Sequence, residues 1–66
     1  MSRFTLLLLL LVEFTSRTGS PIAVNPESVE AVFPTAGQHA ELRLLSGQLV
    51  EVSESYVVVV RRLRGS

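Results

Sequence analysis

The stretch A-E-L-R-L-L-S-G-Q-L-V-E-V, residues 40–52, decides the fold because its pattern predicts a β-hairpin in a defined register. Apolar and polar residues alternate on both sides of Ser46-Gly47, which is typical of two half-buried strands around a turn. A three-residue loop at 45–47, with Gly47 in the left-handed region, places Leu44 opposite Gln48. This loop fixes which side chains of the two strands share a face.

The predicted register gives the hairpin one apolar and one polar face. A two-residue loop would instead bury Glu51 on the apolar face, which is costly for an unpaired carboxylate, so the longer loop is favoured. In this register Arg43 can reach Glu51 diagonally across the strands. The apolar face carries Ala40, Leu42, Leu44, Val50 and Val52, whereas Glu41, Arg43 and Glu51 face water beside Leu49.

Three shorter segments before the hairpin also have strand character. Residues 12–17 alternate until the turn residues at 17–20. Pro21 to Val24 follow as a short strand that begins at a residue without an N–H, which suits a strand start or a sheet edge. Val29 to Phe33 form the third. Strict alternation puts Val29, Ala31 and Phe33 on one face of this third strand and Glu30 and Val32 on the other.

The residues Asn25-Pro26-Glu27-Ser28 have the chemistry of a single helical turn. Asn25 can cap the turn, and Pro26 suits its first position because that position needs no N–H donor. Glu27 favours the positive end of the local dipole. We therefore assign structural roles in turns to Asn25, Pro26 and Gly47.

The C-terminal segment combines strand and helix signals. Four consecutive valines at 57–60 favour a strand, whereas Tyr56, Val59, Val60 and Leu63 recur at helical spacing. Ser53 suits a helix cap, and the arginines at the other end complement the dipole. We predict a helix that packs through these four apolar residues. The expected fold class is α+β, a small antiparallel sheet of four to five short strands with a C-terminal helix, in a single small β-rich domain at residues 12–64.

Composition excludes several classes of function. With 66 residues the chain has a thin core, so we expect an oligomer or a partner surface to supplement it. The absence of cysteine removes thiol catalysis and thiolate metal sites, and the single His39 has no second histidine or aspartate to form a site. We therefore expect no enzyme, no cofactor and no metal.

Residues 1–11 form an apolar lead with a different character. Leu6 to Val12 resembles the apolar region of a signal peptide, but Glu13 interrupts the segment before any cut, and cleavage after Ser20 would remove the first strand. A transmembrane span needs about 20 apolar residues, more than this run offers. The lead is therefore a secretion signal, an extension of the first strand, or a mis-assigned start. The abrupt change to alternating sequence at Val12 favours the last.

The formal charge of zero is unevenly distributed. All six cations are Arg and all six anions are Glu, and Arg61, Arg62 and Arg64 lie together near the end. With Val57 and Val58 beside them, they are the candidate surface for a protein partner or a lipid headgroup. The glutamates in the rest of the chain make nucleic acid an unlikely partner by charge, although a small nucleic-acid-binding β-barrel that uses the arginines is one alternative function.

Four motifs together resemble the small FlbD family of bacterial flagellar proteins, the SwrD-like proteins of swarming motility. They are V-E-F-T at 12–15, Asn25-Pro26-Glu27, Ser46-Gly47 and Val52-Ser53-Glu54-Ser55, and the resemblance covers residues 12–63. It implies a non-enzymatic accessory protein of motility that contacts the flagellar motor or assembly apparatus. It also implies a cytoplasmic location, including the inner membrane face. The alternative is a secreted or envelope protein.

Overall fold

The computed structural model describes residues 11–65, in which five β-strands precede one α-helix. The strands are β1 (Val12–Thr15), β2 (Pro21–Val24), β3 (Val29–Thr35), β4 (His39–Leu44) and β5 (Leu49–Val52), and the helix is α1 (Tyr56–Arg64). The predicted α+β fold, with a small antiparallel sheet and a C-terminal helix, is confirmed. Residues 1–10 of the apolar lead lie outside the described residues.

The hairpin of β4 and β5 has the register that its sequence predicts. Leu42 pairs with Val50, and the Leu44 N–H donates to the Gln48 carbonyl oxygen at 2.9 Å. Gly47 has a φ of 95°, the left-handed conformation that the three-residue loop requires. The apolar face therefore points into the core, where Ala40, Leu42 and Val52 are fully buried.

The side chains of β3 do not alternate as predicted, because the strand contains a bulge. The register shifts between Val29 and Ala31, so Val29 and Val32 both pack against the core. Phe33 lies on the opposite, exposed face. A bulge inserts one extra residue and so exchanges the two faces of the strand beyond it. The prediction that Val29, Ala31 and Phe33 share one face was wrong.

The charged side chains of the sheet also pair differently from the prediction. The Arg43 Nε lies 3.4 Å from Oε1 of Glu30, the residue at the bulge. Glu51 instead lies 3.6 Å from Arg17, in the turn after β1. The predicted pair of Arg43 with Glu51 was wrong, since partners from β3 and the first turn are closer.

The two sheets are joined into one curled surface through β1 and β5. Ser16, directly after β1, forms a β-bridge with Val52 of β5. The Ser53 N–H donates to the Thr15 carbonyl oxygen at 2.7 Å, which extends the connection by one residue. The β1–β2 pair thereby closes against the edge of the three-stranded sheet. This closure brings both sheets around one core.

The turn between β2 and β3 is a single 3₁₀ turn at Pro26–Ser28. The Asn25 side-chain oxygen accepts a hydrogen bond from the Glu27 N–H at 3.0 Å, and Pro26 occupies the first helical position. The Ser28 N–H donates to the Asn25 carbonyl oxygen at 2.9 Å. These contacts give Asn25 and Pro26 the cap and start roles that their chemistry predicts.

Helix α1 packs on the sheets through a narrower stripe than predicted. Val59 is fully buried, and Leu63, one turn later, packs against the core. Tyr56 is 40% exposed, and the half-buried Val60 lines a depression on the outer side of the helix with it, so the prediction that these two residues pack on the sheet was wrong. The packed stripe contains Val59 and Leu63. Tyr56, three residues before Val59, lies at the border between this stripe and the outer side of the helix. The core consists of Phe14, Val24, Ala40, Leu42, Val52 and Val59.

Candidate contact surfaces

Helix α1 begins at a serine cap, but not at the serine that the sequence predicts. The Ser55 hydroxyl accepts a hydrogen bond from the Val58 N–H at 3.3 Å. Ser53, the predicted cap, donates its hydroxyl to the Ser16 carbonyl oxygen at 2.9 Å. Ser53 therefore holds β1 against β5, and the helix begins two residues later. The N-terminus of the helix is therefore still capped by a serine hydroxyl, which is a favoured capping group.

The inner side of α1 is attached to β1 by Arg62. Its Nη1 donates to the Glu13 carbonyl oxygen at 2.9 Å and lies 3.5 Å from Oε2 of Glu54. The guanidinium also lies over the Phe14 ring, 5.7 Å from its centroid. Arg62 follows Val59 by three residues and therefore lies on the same side of the helix. One arginine thus joins a strand, a loop carboxylate and a core aromatic ring.

Glu54 completes this attachment. Its Oε1 accepts a hydrogen bond from the Thr15 N–H at 2.9 Å, and its Oε2 accepts one from the Thr15 hydroxyl at 3.0 Å. Only 15% of the side chain is exposed. We call Thr15, Ser53, Glu54 and Arg62 the β1–helix junction.

The surroundings of Glu54 lower its pKa. Burial alone would raise the pKa of this carboxyl group. The hydrogen bonds from the backbone N–H groups of Thr15 and of Glu54 itself, the Thr15 hydroxyl and the charge of Arg62 together outweigh burial, so the pKa lies below its ordinary value. The junction therefore favours the ionised carboxylate.

The outer side of α1 is exposed to solvent. We call Tyr56, Val57, Val60, Arg61 and Arg64 the helix face, and these five residues line a shallow depression. Val57 is 59% exposed. Within residues 11–65, neither Arg61 nor Arg64 has an ion-pair partner. The helix face therefore combines apolar side chains with two cations.

The residues predicted as a contact surface are divided between these two sides of the helix. Arg61, Arg64 and Val57 lie on the helix face. Arg62 lies at the β1–helix junction, and Val58 is half-buried. Helical phase, applied to the spacing from Val59, would have separated Arg62 from the other two arginines.

A second exposed surface lies on the outer side of the three-stranded sheet. We call Phe33, Glu41, Arg43, Leu49 and Glu51 the sheet face. Arg43 is paired in register with Leu49, and its guanidinium lies over the Phe33 ring, 5.5 Å from the centroid. Phe33 and Leu49 are 39% and 54% exposed. The sequence pattern missed Phe33 as part of this surface, because the bulge in β3 has no sequence signal of its own.

The single histidine has a structural contact. The Nδ1 atom of His39 lies 2.7 Å from the Ser53 carbonyl oxygen, which accepts the hydrogen bond, so the proton is on Nδ1. This contact ties the start of β4 to the β1–helix junction. Within the described residues, no three side chains of the metal-binding types come together.

In the part of the chain that the structure describes, no helix has both the length and the apolar character to cross a bilayer. In comparisons with known proteins, no family model, no curated protein and no solved structure matches the chain.

Proposed function

We propose that this chain is a non-enzymatic accessory protein of bacterial flagellar motility that binds a protein partner through the sheet face. The observation that carries the binding part is the exposed row of Phe33, Arg43 and Leu49 on the solvent side of the sheet. The flagellar part rests on the resemblance to the FlbD and SwrD-like proteins. The partner is a component of the flagellar motor or of its assembly apparatus.

The sheet face has the composition of a protein-binding surface. Aromatic residues and arginine are enriched at the centres of interfaces, where they supply most of the binding energy. Arg43 lies between an exposed aromatic and an exposed aliphatic side chain, with its guanidinium over the aromatic ring. Glu41 and Glu51 add anionic groups, which suit a polar rim.

The motifs behind the resemblance correspond to distinct parts of this fold. Asn25-Pro26-Glu27 forms the 3₁₀ turn, and Ser46-Gly47 forms the tip of the hairpin. Val52-Ser53-Glu54-Ser55 connects β5 to α1 and supplies most of the β1–helix junction. A resemblance in residues that build the framework supports a shared fold. The binding role of the exposed sheet face does not follow from these motifs and needs a direct test.

A motility assay tests the proposal. The gene is deleted in a flagellated host, and the strain is complemented with the wild-type chain, with Leu49→Glu or with the control Leu45→Glu. Both leucines are exposed, at 54% and 69%, and both variants gain the same charge. Only position 49 lies on the sheet face. The wild type and the control are expected to restore the swimming rings in soft agar, and Leu49→Glu is expected to leave them small.

Two results would contradict the proposal. A deletion strain that swims and swarms normally would refute the flagellar part. Full restoration by Leu49→Glu at a normal protein level would refute the sheet face as the binding surface. Circular dichroism of the purified variants checks that each one is folded, so that a lost interaction is distinguished from a lost structure.

A further inference from the structure

We infer that the helix face docks on the surface of a bilayer that contains anionic phospholipid. This inference deepens the proposed function and rests on it for its cellular setting, the inner membrane face. The sheet face and the helix face contain different residues, so a protein partner and a bilayer can be bound by separate surfaces. The reasons lie in the charge, the apolar content and the shape of the helix face.

The charge of the helix face is complementary to an anionic membrane. Arg61 and Arg64 are exposed and have no ion-pair partner among residues 11–65. All six glutamates lie outside α1, and the nearest along the chain, Glu54, is occupied by Thr15 and Arg62. A chain with no net charge therefore has a cationic helix end, which a negative surface potential attracts and orients.

The apolar side chains of the helix face lie where a membrane surface would accept them. Tyr56, Val57 and Val60 line the same depression as the two arginines. Arginine extends its aliphatic stem along apolar surface while its charge stays in the headgroup layer, and tyrosine is favoured at that boundary. The combination is that of a helix that lies in the plane of the membrane surface.

The size of the helix face favours a bilayer over an acidic protein. Nine residues make a helix of about 13 Å, and a specific protein interface buries about 800 Å² on each partner. One side of a single short helix is small for that purpose. A bilayer adapts to the shape of the helix face and surrounds it with headgroups, so no complementary protein surface is needed.

Vesicle sedimentation tests the inference with the full chain. One vesicle set is pure phosphatidylcholine, and the other contains phosphatidylcholine and phosphatidylglycerol in equal parts. The apolar lead carries Arg3 and is present in every variant, so its own contribution to the ratio of the two partition coefficients is the same in each variant. The quantity that reports the helix face is the change of that ratio from the wild type to a variant.

Two double variants each remove two positive charges, one from the helix face and the other from Arg17 and Arg43, which form ion pairs away from α1. Arg61→Gln with Arg64→Gln is expected to lower the ratio about 30-fold, because each arginine near an anionic surface raises the partition coefficient by a factor of about five. Arg17→Gln with Arg43→Gln makes the same change of net charge away from α1 and is expected to leave the ratio within about threefold. High salt should remove the preference of the wild type for anionic vesicles.

A second variant tests the apolar part of the helix face. Val57→Glu places an acid in the first turn of α1, where it suits the helix dipole, and Val57 is exposed, so the fold is expected to persist. The partition onto anionic vesicles should fall about tenfold, because an apolar contact is replaced by a repelled charge.

The outcomes separate this inference from the proposed function. A wild type with equal partition on both vesicle sets would overturn the inference, as would an unchanged ratio for the Arg61 and Arg64 variant. A third outcome combines both assays. If the wild type shows no preference for anionic vesicles and the Arg61 and Arg64 variant fails to restore motility, the helix face binds an acidic protein instead. If the vesicle results are as expected while the deletion strain is fully motile, the lipid contact stands and the flagellar proposal fails.

Discussion

Arg62 and Arg64 are two residues apart on the same helix and are both partly open to solvent, but they differ in their bonded partners. Arg62 is held by the Glu13 carbonyl oxygen, the Glu54 carboxylate and the Phe14 ring. Arg64 is on the exposed helix face, beside Val57 and Val60. A helix turns by about 100° per residue, so two positions are enough to move a side chain from the packed to the solvent side. The comparison teaches that residue type alone did not separate the arginine bonded to β1 from the arginines on the outer side of the helix, whereas the helical spacing from Val59 does.

The largest expected contrast between the two sides comes from a pair of identical substitutions. Val59→Ala removes methyl groups from a fully buried site and should lower the free energy of unfolding by about 2 kcal/mol. Val57→Ala removes the same atoms from an exposed site and should change it by less than about 0.5 kcal/mol. Thermal unfolding followed by circular dichroism measures both. Equal effects would mean that the two sides of α1 do not differ in packing.

A second contrast concerns the carboxylate of the β1–helix junction. Glu54→Gln keeps one acceptor oxygen for Thr15 but loses the negative charge that both Thr15 donors and Arg62 favour. We expect a loss of about 1.5 kcal/mol at neutral pH, as for a hydrogen bond to a charged group. The control Glu41→Gln, on the sheet face, should be nearly neutral. A similar loss for both would show that Glu54 contributes nothing beyond general charge.

The same substitution gives a pH dependence of known sign. The folded state lowers the pKa of Glu54 below its ordinary value near 4.5, so the unfolded chain binds the proton more readily. The stabilisation is therefore complete above that ordinary value and is lost as the pH falls through the lower, folded value. The difference in stability between wild type and Glu54→Gln should be constant near neutral pH and shrink below about pH 4.5. A difference that grows on acidification would contradict the direction of this pKa shift.

The hairpin was predictable from sequence because its determinants are local. Gly47 requires a particular loop, and the cost of burying Glu51 selects one register. The turn at Asn25-Pro26 was predictable for the same reason, since its cap and its first position are adjacent in sequence. In both cases the interacting groups lie a few residues apart in sequence, and few residue types suit each turn position.

The remaining features depend on residues that are distant in sequence. The bulge in β3 reverses the faces of Val32 and Phe33, and only pairing with β4 defines it. Thr15 and Glu54 are 39 residues apart, so no local pattern connects them. The sheet face could not be recognised before the bulge was known. The separation of Arg62 from Arg61 was readable in principle, because Val59 and Arg62 are three residues apart.

The smallest expected contrast returns to the arginines. Arg62→Gln should lower the free energy of unfolding by about 1 kcal/mol, since it loses the hydrogen bond to the Glu13 carbonyl oxygen and the contact with the Phe14 ring. Arg62 is 46% exposed, so its ion pair with Glu54 is screened and adds little. Arg64→Gln, with no ion-pair partner in residues 11–65, should leave stability unchanged within about 0.3 kcal/mol. Urea unfolding of the two variants measures the difference. If Arg64→Gln destabilised the chain as much as Arg62→Gln, both arginines would be structural, and the helix face would lose one of its two cations as a binding group.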